Sequence, residues 1–257
     1  MRRPLIAANW KMHGRLDMLN RYLAGLGDDG PGGDVEVVLC PPTSYLAPLA
    51  AGLAALDAIA LGAQDCSPEK EDGAFTGDVS AAMLADLGCR WVIVGHSERR
   101  ERHGESDAVV AAKFAAAQAA GLAPVLCVGE SRSQRDAGEA EAVVSAQVEA
   151  VVKDRGVATF ARAAIAYEPV WAIGTGCAAT PEVAESMHAL VRETVAGHDR
   201  AVAGALRILY GGSAKPENAA AFFAEPDIDG ALIGGASLDP ESLLAIVAAA
   251  RARSTVN

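Results

Sequence analysis

A glutamate and a proline close an apolar run in Ala163-Ala164-Ile165-Ala166-Tyr167-Glu168-Pro169. The run reads as a buried strand; Pro169 ends its hydrogen-bond ladder and keeps Glu168 out of the right-handed helical region. Beyond it come an aromatic, Trp171, and a hinge-like Gly174-Thr175-Gly176. A carboxylate at a strand end beneath a movable cover can serve as a general base in a site that closes. Taken alone, the segment reads equally as a surface carboxylate before an ordinary loop.

Other segments offer complementary groups. Asn9 and Lys11 follow the apolar run from Leu5, two residues apart and so on one side of an extended chain. Lys11 can bring a positive charge into a site, although a lone lysine is usually solvated. In Gly95-His96-Ser97-Glu98-Arg99-Arg100 the histidine stands where a strand gives way to a helix. The unpaired amides and dipole of a first turn favour a neutral imidazole, which can donate to a carbonyl oxygen and exchange protons. An isolated histidine there would be no more than a helix cap. His13, His103, His188 and His198 lack such a setting and read as structural. Tyr210-Gly211-Gly212-Ser213 and Gly234-Gly235-Ala236-Ser237 each carry a glycine pair that lets backbone N–H groups approach an anion.

These groups need a frame that gathers them. Short apolar runs at Leu5–Asn9, Val35–Cys40, Ala58–Ala63, Arg90–Gly95, Ala123–Val128, Ala163–Tyr167, Leu206–Tyr210 and Ala231–Ile233 read as strands. Between them lie helical patterns, among them Leu16–Leu26, Val79–Leu87, Asp107–Ala120, Glu139–Lys153 and Pro181–Ala196. Thr180-Pro181 and Lys215-Pro216-Glu217 mark helix starts, and Gly88 and Gly121 mark ends. Eight such alternations without a Pro-, Gly- or Ser-rich linker predict an α/β fold, one closed (β/α)8 barrel domain over residues 1–257, with a short polar tail from Arg251. A doubly wound open sheet is the runner-up, but it wants a glycine-rich turn after the first strand, where this chain has Asn9-Trp10-Lys11. In a barrel the groups following strands one, four, six, seven and eight meet at one mouth, and the last two loops frequently hold phosphate.

Composition narrows the partners. A net charge of −11 argues against nucleic acid and anionic membranes. An anionic ligand would therefore have to be held by local amides and Lys11. Five widely spaced cysteines (Cys40, Cys66, Cys89, Cys127, Cys177) without a C-x-x-C suit free thiols in a reducing compartment, not a disulfide framework or a zinc site. The N-terminal apolar run is too short for a signal peptide, and no run is long enough to span a membrane, so the expected location is the cytoplasm. One connection stands out, the polar segment Gln64–Asp78 with Phe75 inside it. Loops of this length are usually functional or disordered, and an aromatic within one suggests docking.

One base, one imidazole, one ammonium and an anion cradle, without a metal cluster or nucleotide fingerprint, suit proton abstraction beside a carbonyl on a small phosphorylated sugar. Asn9-Trp10-Lys11-Met12, Gly73-Ala74-Phe75-Thr76-Gly77, Gly95 through Arg100, Tyr167 through Gly176 and the two glycine-pair motifs together resemble the triosephosphate isomerase family, in order and over nearly the whole chain. The resemblance implies cofactor-free interconversion of dihydroxyacetone phosphate and D-glyceraldehyde 3-phosphate, in glycolysis and gluconeogenesis. It casts Glu168 as the base, neutral His96 as the group polarising the carbonyl and Lys11, with Asn9 beside it, as the charge stabiliser. Neutral-histidine chemistry and lid closure are the family's own established features. Pro169–Gly176 would be the lid, and Gly174, Ser213, Gly234 and Gly235 the phosphate ligands. Glu98 and Cys127 would pack beneath the site, and Gln64–Asp78 would build a homodimer by reaching the partner's Lys11. Two departures are expected to matter: Asp78, where relatives often have the longer Glu that pairs with the partner's Arg99, and Cys177, where a longer side chain is common. The competing functions are an isomerase for a related tetrose phosphate and a catalytically silent barrel that only binds.

Overall fold

The structure, a computed structural model, describes residues 2–27, 31–54, 56, 58–173 and 179–255, with side chains to Arg253. The eight strands are β1 Leu5–Asn9, β2 Glu36–Cys40, β3 Ile59–Ala63, β4 Cys89–Val94, β5 Ala123–Val128, β6 Ala164–Tyr167, β7 Arg207–Tyr210 and β8 Gly230–Ile233. Each pairs in parallel with its neighbours in chain order, and β8 returns to β1, closing the predicted (β/α)8 barrel. Every strand falls within about two residues of its expected bounds, because each is an apolar run too short to form a stable helix.

The period-2 alternation of a strand sorts the side chains into two cores. Leu5, Ala7, Val38, Cys40, Trp91, Ile93, Val125, Cys127, Ala164, Ala166, Leu209 and Leu232 fill the barrel interior. Their neighbours in sequence, such as Ile6, Leu39, Val92, Leu126, Ile165 and Ile208, join the layer under the helices. The amino end is plugged: Trp91 Nε1 donates to Glu36 Oε1 at 2.9 Å, and the Arg207 guanidinium lies 5.1 Å over the Trp91 ring while bonding Glu36. The inward alternation brings Asn9, at the end of β1, and Gln64, Gly95, Glu168, Gly211 and Gly234, each one step past its strand, to the other end, the carboxyl mouth.

The helices Leu16–Leu26 and Pro181–Ala196 have their predicted bounds, and Thr180 caps the second by accepting from Val183 N–H. Gly88 and Gly121 take the left-handed conformation after the helices Ala81–Asp86 and Asp107–Ala119. Two expectations change. The chain turns at Lys215 as predicted, but the helix is Ala219–Phe223, because Asn218 first closes a turn by accepting from Lys215 N–H. The stretch from Arg251 is no loose tail: the helix Pro240–Thr255 runs through it, and Arg253 Nη2 donates to the Pro226 carbonyl at 2.9 Å.

His188, read from sequence as structural, is wholly buried with its ring edge on Tyr167, the last residue of β6. Burial lowers its pKa from 6.5 to about 4, outweighing the opposing hydrogen bond to the Asp227 carbonyl. Between those values the unfolded chain binds more protons than the folded one, so stability must fall as pH drops from 6.5 towards 4. The full loss is roughly 3 kcal/mol at 1.36 kcal/mol per unit. Denaturant midpoints measured across this window should decline for the parent and decline less for His188→Gln; parallel profiles would remove His188 as the source.

Candidate active site

Glu168 follows β6 inside the barrel mouth and is 2% exposed. Its N–H donates to the Val128 carbonyl at 2.7 Å, which continues the β5–β6 ladder one residue past the strand. Its carboxylate is held at two points: Oε2 accepts from Ser97 N–H at 2.9 Å, and Oε1 lies 3.0 Å from His96 Nε2. His96 caps the helix Ser97–His103, its Nδ1 accepting from Glu98 N–H at 3.2 Å. The cap also determines the tautomer. A ring nitrogen that accepts carries no proton, so the proton of the neutral ring sits on Nε2, facing Glu168 and the mouth. Glu98 Oε2 lies 3.8 Å from the same Nδ1, too far to compete with the backbone bond. The capping role and the site role are thus one geometry.

Lys11 has φ 51°, the one positive φ at a non-glycine among the described residues. Such a conformation costs about 1–2 kcal/mol and needs support from its surroundings. Asn9 Oδ1 accepts its N–H at 3.0 Å, and Gln64 Nε2 donates to its carbonyl at 2.8 Å and to that of Cys40 at 2.9 Å. The ammonium rests 2.8 Å from Glu98 Oε1. Burial pushes the Glu98 carboxyl up, but the hydrogen bond and charge of Lys11, with His96 and Arg102 nearby, together hold it below the ordinary carboxylate range. The pair is partly open to solvent and worth about 1 kcal/mol or less, so an arriving dianion can take Lys11 from Glu98 at little cost. Glu98 therefore does not pack beneath the site; its side chain is 44% exposed at the rim. Cys127 does lie beneath, fully buried, and burial pushes its thiol well above the usual range.

Asn9, Lys11, His96, Glu168, Ser213, Gly234 and Gly235 all line one cavity of about 300 Å³. Gly174 falls outside the described residues, as does Cys177. Among the described residues no acceptor takes the N–H of Gly234 or Gly235, which leaves both amides for a ligand. The cavity suits a molecule of a few carbons, with amides and an ammonium for an anionic end and a carboxylate–imidazole pair for moving protons.

Three contributors are hidden in the sequence. Gln64 clamps the Lys11 turn, and its one signal is the inward alternation Ala60, Gly62, Gln64. Glu130, completely buried, accepts from Tyr167 Oη at 3.1 Å, Trp171 Nε1 at 2.8 Å and Arg135 Nη1 at 3.1 Å, fastening the start of the segment after Pro169. Lys215 lines the cavity although its motif reads only as a helix start. No group of His, Cys, Asp and Glu among the described residues is arranged to hold a metal ion.

Barrel and mouth together define a class, the (β/α)8 proteins that hold a small anionic molecule over side-chain acid–base groups. The model of the triosephosphate isomerase family matches residues 4–250. Proteins named triosephosphate isomerase from Alcanivorax borkumensis, Thiobacillus denitrificans and Xanthomonas campestris are 56%, 55% and 52% identical to this chain, over 97–98% of it and 99–100% of their own length. The chain belongs to the triosephosphate isomerase family.

Proposed function

We propose that this chain interconverts dihydroxyacetone phosphate and D-glyceraldehyde 3-phosphate through an enediolate, as an enzyme of glycolysis and gluconeogenesis. Glu168 takes a proton from carbon 1 of the ketose and returns it to carbon 2. His96 Nε2–H donates to the carbonyl oxygen and carries the hydroxyl proton between the two oxygens. Lys11, with Asn9 beside it, stabilises the developing negative charge. Atoms and electrons balance within the substrate, so the reaction itself requires no cofactor. The phosphoryl group sits against Ser213, Gly234 and Gly235, with Gly174 closing over it from the lid that begins at Pro169. Excluding water there protects the enediolate from losing phosphate.

The observation that carries this reading is the 3.0 Å approach of His96 Nε2 to Glu168 Oε1 in the cavity that Lys11 also lines. It requires that purified protein wash solvent deuterium into carbon 1 of dihydroxyacetone phosphate; protein that turns the substrate over with no exchange, or leaves it untouched, would defeat it. Running a tetrose phosphate alongside tests the related-substrate reading, and inactivity on both would leave only a binding barrel. Neither alternative has an observation in its favour.

The same reading makes residues 1–257 one domain and the protein a cytoplasmic homodimer. Among the described residues no helix is long and apolar enough to cross a membrane. Support for a partner comes from exposed apolar side chains near and within the long loop: Met12 95%, Phe75 45% and Met83 47%. The segment Gln64–Asp78 contains no helix or strand and is closed at its base by Ser67 N–H on the Val79 carbonyl. Asp78 accepts from Ser67 Oγ at 2.7 Å, which keeps its short side chain at home and away from a partner's Arg99. The dimer should therefore dissociate within a dilution series ending at about 1 nM. Sedimentation velocity showing an intact dimer at that limit would dismiss the weakening attributed to Asp78.

A further inference from the structure

We propose that Lys215 recruits the phosphoryl group to its cradle and so sets the preference for dianionic substrates, a role that rests on the isomerase reading above. Lys215 lines the cavity together with Gly211, Gly212, Ser213, Gly234 and Gly235. Two lysines line the cavity, and their ammonium groups are in different states. Lys11 is already paired with Glu98 at 2.8 Å, whereas the Lys215 ammonium enters no ion pair among the described residues. Among the described residues, the lysine lining the cavity without an acidic partner is thus Lys215, on a chain whose net charge of −11 repels an approaching dianion.

The local backbone supports the role. Pro216 restricts Lys215 to extended conformations, and the Lys215 N–H donates to Asn218 Oδ1 at 2.8 Å. Asn218 Nδ2 in turn donates to the Ser213 carbonyl at 3.0 Å, so one side chain braces both the lysine and the cradle's serine. The backbone of Lys215 is held by its bond to Asn218, and the residue is solvent-exposed. This arrangement suits long-range capture better than a fixed hydrogen bond. A solvated ammonium attracts the incoming dianion, which then settles on the amides and on Lys11. The step that follows, proton transfer at carbons 1 and 2, falls to Glu168 and His96 and does not involve it.

The experiment compares the parent with Lys215→Met, Lys215→Arg and Lys215→Glu over a range of ionic strength, by steady-state kinetics and by calorimetric binding of inorganic phosphate. At low salt, KM and the phosphate Kd should rise about three- to five-fold for Met and further for Glu, with kcat unchanged and Arg restoring the parent values. By about 0.5 M salt, where screening leaves only contact interactions, the parent and Met curves should converge. Parent-like KM and phosphate affinity in Lys215→Met at low salt would overturn the proposal, as would a deficit that persists undiminished at high salt or one that falls on kcat. The phosphate measurement keeps the two readings separable. A parent that binds phosphate through Lys215 but catalyses no exchange defeats the isomerase, while an active parent indifferent to Lys215 defeats this inference alone.

Discussion

Glu168→Asp should lower kcat by about a hundred-fold or more while leaving the affinity for inorganic phosphate within about two-fold, because displacing a reacting group by about 1 Å is enough for such a loss. The carboxylate sits between two anchors, Ser97 N–H on one oxygen and His96 Nε2 near the other. To act it must leave the Ser97 amide and swing to a substrate carbon without losing its place over the mouth. Removing one methylene shortens that swing, while Pro169 and the bond from Glu168 N–H to Val128 prevent the backbone from moving to compensate. Ser213, Gly234 and Gly235 follow β7 and β8, not the strand that carries Glu168, so the affinity for phosphate should not respond. Glu168→Gln, which keeps the length and cannot accept the proton, should lose more turnover than Asp. Initial rates in both directions and phosphate calorimetry on the same preparations provide the check. Parent-like turnover in either variant would take Glu168 out of its role, and a parallel collapse of phosphate affinity would mean that the substitution had disturbed the mouth as a whole.

The parts of the molecule legible in the sequence are those set by local rules. Period and run length located all eight strands, and the order of polar groups after them placed Asn9, Lys11, His96 and Glu168 around one mouth. What escaped are relations that depend on register between strands. Nothing beside Gln64 in the chain says that its amide will hold the carbonyls of both Lys11 and Cys40; that follows from β1, β2 and β3 lying side by side. Glu98 was misjudged for a related reason. The family resemblance places it beneath the site, but the helix that starts at Ser97 turns it outward to meet Lys11 at the rim. Arg251 onward looked like a polar tail because the partners of Arg253, the carbonyl of Pro226 and the carboxylate of Asp229, lie more than twenty residues away in sequence. Glu130 shows the same limit, since its three donors come from Arg135, Tyr167 and Trp171.

The least visible constraint yields the second large effect. Gly129 follows β5 and looks like an ordinary loop glycine, yet Gly129→Ala is expected to destabilise the fold by about 3 kcal/mol, the upper end of typical overpacking costs. A Cβ there would lie 1.9 Å from the Glu168 carbonyl oxygen, 2.8 Å from its carbon and 3.3 Å from its Cα. All three are backbone atoms, so no side-chain rotation relieves the contact. The other side offers no room to retreat, because Gln147 grips Gly129 at both its N–H (2.7 Å) and its carbonyl (3.2 Å). The clash must therefore be resolved by moving the backbone that carries the base. The molecules that still fold should show kcat reduced by about a hundred-fold, as expected for a displacement near 1 Å, with a smaller change in KM. Gly204→Ala supplies the control: its Cβ would meet nothing within 4 Å, and its place in the helix Arg200–Ala205 should make the change neutral or stabilising by about 0.5–1 kcal/mol. Denaturant unfolding and kinetics on the two variants separate the outcomes. If Gly129→Ala matched Gly204→Ala in both stability and turnover, the close approach of β5 to the backbone of Glu168 would not be what holds the base in place.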